Sequence, residues 1–157
     1  MPRVTTKVVD KGAERLFRAF ASIPEGEEAV AGWPSSTVGS DLGTSIAEYM
    51  AINNEGAPNV PIPARPFMDH AWERNLGKYS AHFDRGMERI IRGTASPRRL
   101  LFEAAVESHN DIKRSILTGP WVGNAESTKL AKRGSTRPLV DTGAALQSCT
   151  FAVRPKR

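Results

Sequence analysis

Residues 67–117 read FMDHAWERNLGKYSAHFDRGMERIIRGTASPRRLLFEAAVESHNDIKRSIL. Phe67, Ala71 with Trp72, Leu76, Tyr79, Phe83, Met87 and Ile90 with Ile91 recur at three- and four-residue steps, the period that gathers side chains on one face of an α-helix. The pattern persists for about seven turns of helix. It breaks at Arg92-Gly93-Thr94-Ala95. Ser96-Pro97 then supply an N-cap hydroxyl and a proline at the first helical position, where an N–H would have no partner anyway. A second helix runs to about Leu117, with Leu101, Ala105, Ile112 and Ile116 on one side, and Gly119-Pro120 ends it. So short a break folds the two helices back on each other as an antiparallel hairpin, the expected core.

Upstream of the hairpin lies Ala57–Pro66, APNVPIPARP, where prolines at 58, 61, 63 and 66 impose an extended path unfit for a central strand. Ile46–Ile52 (IAEYMAI), bounded by Gly43 and Asn53-Asn54-Glu55-Gly56, reads as a short strand, although Ala47, Glu48 and Met50 suit a helix equally. Residues 24–45 are acidic and rich in Gly, Pro and Ser without a period, which predicts an extended loop or arm. Asp10 to about Ser22 carries Ala13, Leu16, Phe17 and Phe20 at helical spacing, and Val4–Val9 is a β-branched stretch suited to a strand.

Downstream, residues 119–138 form a polar, basic loop, and Leu146–Val153 alternates Cys149, Phe151 and Val153 with Ser148, Thr150 and Ala152 as a half-buried strand. Residues 154–157 are a basic tail. The predicted fold is therefore α+β: a small antiparallel sheet packed on the helical hairpin, with extended loops or arms. At 157 residues the chain has the length of one domain, taken as 1–157.

The net charge of +5 is unevenly placed. Lys129, Lys132, Arg133, Arg137, Arg154, Lys156 and Arg157 face a single acid, Asp141, after residue 128, whereas residues 1–128 hold fifteen basic and sixteen acidic side chains. The basic excess points to a phosphate backbone or an acidic protein surface as partner. No apolar run approaches the roughly 20 residues of a membrane span, and no apolar segment follows the N-terminal Arg3 as in a signal peptide. One cysteine excludes an internal disulfide.

Catalytic patterns are sparse. Asp141-Thr142-Gly143 after an apolar pair is the local signature of aspartic proteases, but only fourteen residues follow Gly143, too few to build a substrate groove and flap. The preferred reading has Asp141 capping the next turn and Gly143 relieving the backbone. His70 and His82, twelve residues apart, are separated by about 120° around a helix, so all three histidines, His109 included, read as helix-surface residues rather than ligands. Cys149 alternates with polar positions in the predicted strand and reads as a buried hydrophobe. No P-loop or zinc spacing is present, and neither enzymatic activity nor a cofactor is expected.

Two segments taken together carry a resemblance. Ile62-Pro63-Ala64-Arg65-Pro66-Phe67-Met68 leads into the long helix. Trp121, Ser127-Thr128 and Lys132-Arg133-Gly134-Ser135 precede Arg137-Pro138-Leu139-Val140-Asp141-Thr142-Gly143 and the last strand. In this order they resemble the tail-completion or head–tail joining proteins of tailed bacteriophages, also described as virion morphogenesis or minor tail proteins. The pattern of that family is a strand, IPARPF or IPSRPF, a helical hairpin, then W…ST…KG…KPLIDTG…L…SI. Val8-Val9-Asp10-Lys11-Gly12 extends the likeness towards the start. Asp69 stands where the family often has Arg-Pro, Ala144-Ala145 replace a polar or basic pair, and residues 26–43 align with nothing in the pattern.

The resemblance implies a structural virion protein rather than an enzyme. Identical copies would form a ring of six or twelve at the neck, between the head connector and the tail-tube or terminator proteins, with double-stranded DNA passing through. A tail terminator at the tube end of the same virion is the nearest alternative, and a small non-specific DNA-binding protein the next. Arg65, Pro66, Phe67, Trp121, Pro138, Leu139, Asp141, Thr142 and Gly143 are the implied interface or structural residues. Lys129, Lys132, Arg133, Arg137, Arg154, Lys156 and Arg157 would line the lumen, touching DNA weakly and without base readout, or dock on a neighbouring protein. Phe67 is expected in the core or against the next subunit. The resemblance also implies assembly in the host bacterial cytoplasm, with no membrane partner expected.

Overall fold

The structure, a computed structural model, describes residues 18, 21, 26–33, 44–57, 59–132 and 135–156. In chain order its elements are β1 (Glu27–Gly32), α1 (Ile46–Glu55), α2 (Phe67–Ile91), α3 (Pro97–Thr118), α4 (Glu126–Ala131), α5 (Ala144–Ser148) and β2 (Thr150–Pro155). The fold is α+β: β1 and β2 pair antiparallel, from Glu27 opposite Pro155 to Gly32 opposite Thr150, and the sheet packs on α3 of the α2–α3 hairpin. The predicted strand at 4–9 lies outside the described residues. So does the predicted helix at 10–22, save for Arg18 and Ala21, both helical.

Ser96 caps α3 as expected, its Oγ accepting from the Arg99 amide at 3.2 Å with Pro97 behind it. Across the hairpin, α2 buries Phe67, Ala71, Tyr79, His82, Gly86 and Ile90. This face is rotated from the expected stripe. Trp72 and Leu76 remain just over half exposed, and Phe83 lies at the surface too. Small residues explain the choice of face: a Cβ at Gly86 would overlap the buried Leu100 side chain, so only glycine lets α3 come this close. On α3 the buried residue of the first turns is Leu100 rather than Leu101. The main core joins Ile46 and Met50 of α1, Phe67 and Ala71 of α2, Ile112 and Ile116 of α3, Leu139 and Cys149. A smaller cluster of Ile90 and Leu100 closes the turn end of the hairpin.

The expected bounds and types of several elements are corrected. Residues 46–55 form a helix, because Ser45 and Glu48 make a reciprocal capping box: Ser45 Oγ accepts from the Glu48 amide, and the Glu48 carboxylate accepts from the Ser45 amide at 2.9 Å. Residues 27–32, within the expected arm, form β1, held by its ladder with β2 far along the chain. The final strand begins only at Thr150; Leu146 belongs to α5, and the strand extends through Arg154 to Pro155. Within 119–138 the loop carries the short helix α4.

Candidate functional site

The two segments that carry the resemblance meet around one buried guanidinium. The prolines on either side fix the backbone at Arg65, whose amide donates to the Asn53 carbonyl at 2.9 Å. The Arg65 side chain, 5% exposed as a residue, donates from Nη1 to Asn53 Oδ1 (3.2 Å) and from Nε to the Val122 carbonyl (3.0 Å). Its Nη2 reaches the Gly123 carbonyl (3.4 Å) and Asn124 Oδ1 (3.3 Å). None of these four acceptors is a carboxylate. Burial pushes the Arg65 pKa down from its ordinary value, and oriented carbonyl and amide dipoles hold the charge.

Beside it, Phe67 is 1% exposed and meets the Trp33 ring edge-on at 5.8 Å. Ser115 Oγ donates to the Phe67 carbonyl at 2.8 Å, which leaves it to accept from His70 Nδ1 at 3.0 Å and so fixes the proton on that ring nitrogen. Trp121 Nε1 donates to the Ser115 carbonyl (2.9 Å), and the Trp121 ring meets His70 at 5.2 Å. Leu139 is buried in the same core at φ 61°, a left-handed backbone rarely taken by a branched side chain, while Pro138 is half-buried. Asp141 and Thr142 are exposed. The expected Asp141 cap is corrected: the N-cap of α5 is Gly143, in the left-handed region at φ 84°. Phe67 and Leu139 are thus core residues and Arg65 is an internal tie.

That tie pins the base of residues 122–137. Asn124 Nδ2 donates to the Thr136 carbonyl (3.0 Å), and Lys132 Nζ donates to the carbonyls of Arg137 and Val140, each at 2.6 Å. Burial lowers the Lys132 pKa, opposed by Asp141. The tip, α4, buries no residue and presents Leu130 at 86% exposure. Of the other expected phosphate contacts, Lys129 pairs with Glu126 (2.7 Å) and Arg154 with Glu28 (2.9 Å). Arg137 and Lys156 are exposed, and Arg133 and Arg157 lie outside the described residues. The described members of this basic set are thus divided between contacts within the chain and solvent.

At the other end of the hairpin an open groove of about 720 Å³ runs between α2 and α3, with His82, Arg85 and Arg89 on one wall and Phe102, Val106 and Glu107 on the other. Glu103, also on its wall, accepts from Arg89 (2.5 Å) and Arg99 (2.9 Å), which hold its pKa down to about 2. His82 Nδ1 lies 3.6 Å from Glu107 Oε1. His82 Nε2 and Glu107 Oε2 are buried with no hydrogen-bond partner among the described residues.

The histidine expectation is corrected here. His82 is buried, and His70 and His109 are half-buried, His109 Nε2 lying 3.1 Å from the Cys149 carbonyl. Cys149 is buried as expected, and burial pushes its thiol up to about 11. A second internal tie is Tyr79 donating to the buried Asp111 at 2.9 Å, with Lys78 on the same carboxylate. Burial, followed by that hydrogen bond, raises the phenol to about 12. Sequence reasoning missed Asn53, Asn124 and Ser115, whose roles depend on distant partners. Leu130, a lone large apolar residue in the basic run STKLAKR, was visible there.

Among the described residues no group of three or more His, Cys, Asp or Glu is placed to hold a metal ion, and no helix is long and apolar enough to cross a membrane. Comparison with protein-family models, curated proteins and solved structures finds no match to this chain.

Proposed function

We propose that this chain is a structural subunit of the neck of a tailed bacteriophage, with copies closing into a ring that joins the DNA-filled head to the tail and lets DNA through. The observation that carries the reading is the junction at Arg65. Of the residues that carry the resemblance, Arg65 binds Asn53, Asn124 and the Val122 carbonyl beside Trp121, and Lys132 binds the carbonyls of Arg137 and Val140, as framework residues of a building block do, so their polar groups are used in tying residues 122–137 to the chain itself. Large apolar side chains left more than half exposed, among them Trp72, Leu76, Phe102, Val122 and Leu130, supply surface for neighbouring copies. The engagement of Lys129, Lys132 and Arg154 with their own chain favours weak, sliding contact with duplex in a lumen over a dedicated DNA-binding role.

Electron microscopy of virions labelled with an antibody to this chain tests the proposal. Label at the head–tail junction, with rings in the purified protein, is the expected result. Label confined to the ends of head-free tails would move the protein to the terminator position. Virions that carry no label at the neck or tail would refute a structural role.

A further inference from the structure

The α2–α3 hairpin carries two long exposed faces of opposite charge. On α2, Trp72 and Leu76 are just over half exposed and Met68 and Phe83 more than a third, and at about 100° per residue the four share one side of the helix. Asp69, Glu73 and Asp84 border them, exposed and without an ion pair among the described residues. Arg74, Lys78, Arg85 and Arg89 fall around the other side of the helix. On α3, Phe102 and Leu117 are exposed and Val106 is half-buried along one side. Three bases flank them. The Arg99 side chain is 65% exposed beside Glu103, and that of Arg114 is 70% exposed and lies 3.7 Å from Asp111. Lys113 makes no ion pair among the described residues.

Apolar surface gathered in this way marks a place where another molecule sits. We infer that the α2 face packs on the α3 face of a second copy of this chain, the two helices antiparallel. Copies turned about an axis along the hairpin present them that way, since every α2 then runs one way and every α3 the other. Met68 to Phe83 and Phe102 to Leu117 each span fifteen residues, about 22 Å, so Met68 meets Leu117 while Phe83 meets Phe102. That register sets Glu73 within one turn of Lys113 and Arg114, and Asp84 within one turn of Arg99. Two α2 faces paired with each other would instead gather carboxylates with no cation among them, which opposes association. Because the two faces differ, the contact is head-to-tail and repeats until the rotation closes a ring. The inference rests on the ring reading and names its contact surface.

The test uses the full chain, each variant first checked for an unchanged thermal midpoint. Leu76→Glu alters an exposed residue, and association weakens by about tenfold or more, the loss typical of a central apolar contact. Glu73→Lys also weakens association, and Glu73→Lys with Lys113→Glu restores it, since every interface in the homo-oligomer then carries the exchanged pair. Oxidation of a separate Leu76→Cys, Asn110→Cys chain gives a covalent ladder of multimers, whereas either substitution alone gives no cross-link, the native Cys149 being buried. If wild type forms rings that Leu76→Glu leaves intact and no ladder appears, this surface is wrong and the ring reading stands. Dimers cross-linked through Leu76→Cys alone would show α2 paired with α2 and overturn the assignment. A wild-type chain that stays monomeric at every concentration, with no ladder from the double variant, overturns both.

Discussion

Replacing Arg65 by alanine isolates the junction on which the proposed architecture depends. The substitution removes four side-chain hydrogen bonds, to Asn53, Val122, Gly123 and Asn124. Their consequences differ. Val122 and Gly123 are exposed, so water replaces the guanidinium at their carbonyls, whereas Asn53 is buried and its Oδ1 is left with an unmet bond. An unsatisfied buried acceptor costs about 1–3 kcal/mol, and loss of the packed arginine stem adds about 1 kcal/mol. The expected destabilisation is therefore about 2–4 kcal/mol, a large share of the roughly 5–15 kcal/mol that holds a domain folded. Urea titration followed by tryptophan fluorescence reads it, since Trp121 sits at the junction. Limited trypsin digestion reads the second consequence: with its base untied, the 122–137 loop becomes cleavable at Lys129 and Lys132 well before the hairpin unfolds. A loss below about 0.5 kcal/mol, the range of ordinary surface substitutions, with unchanged digestion would refute the role given to Arg65.

Other substitutions probe the body of the fold. Phe67→Ala empties the centre of the main core and should cost about 3–5 kcal/mol in the same titration; a cost under 1 kcal/mol would remove Phe67 from that core. Gly86→Ala drives a methyl group into the Leu100 side chain and should cost about 1–3 kcal/mol, and a stabilised variant would contradict the close helix approach. Glu103 has a folded pKa of about 2, below its ordinary 4.5, so its contribution is present above pH 4.5 and fades as pH falls towards 2. Melting temperature measured across that window should fall less steeply in Glu103→Gln than in wild type. Because the Arg99 side chain is largely exposed and that of Arg89 partly so, the difference should shrink in high salt.

The hairpin was legible because its signals are local: a 3.6-residue period, then Ser96-Pro97 as a start marker. The phase of α2 was less so. Counting apolar residues favoured Trp72, Leu76 and Phe83, whereas the close packing of α3 selected the side that carries Ala71, His82 and Gly86. Residues 46–52 read as a strand although Ser45 and Glu48 spell out a capping box, because Asn53-Asn54-Glu55-Gly56 has the composition of a turn, whereas the helix runs on through Glu55. Strand β1 has little sequence signal of its own: Glu27-Glu28-Ala29 is poorly suited to a strand, and its partner lies at the far end of the chain. Arg65 could be singled out from the sequence but its use could not, since its acceptors are carbonyls and amides brought to it from 12 to 59 residues away.

Native mass spectrometry of the purified chain puts the central claim to its most direct test. A self-associating neck subunit gives, with rising concentration, a species six or twelve times the 17.1 kDa chain mass. A single 17.1 kDa species at every concentration, with the protein folded, would contradict it.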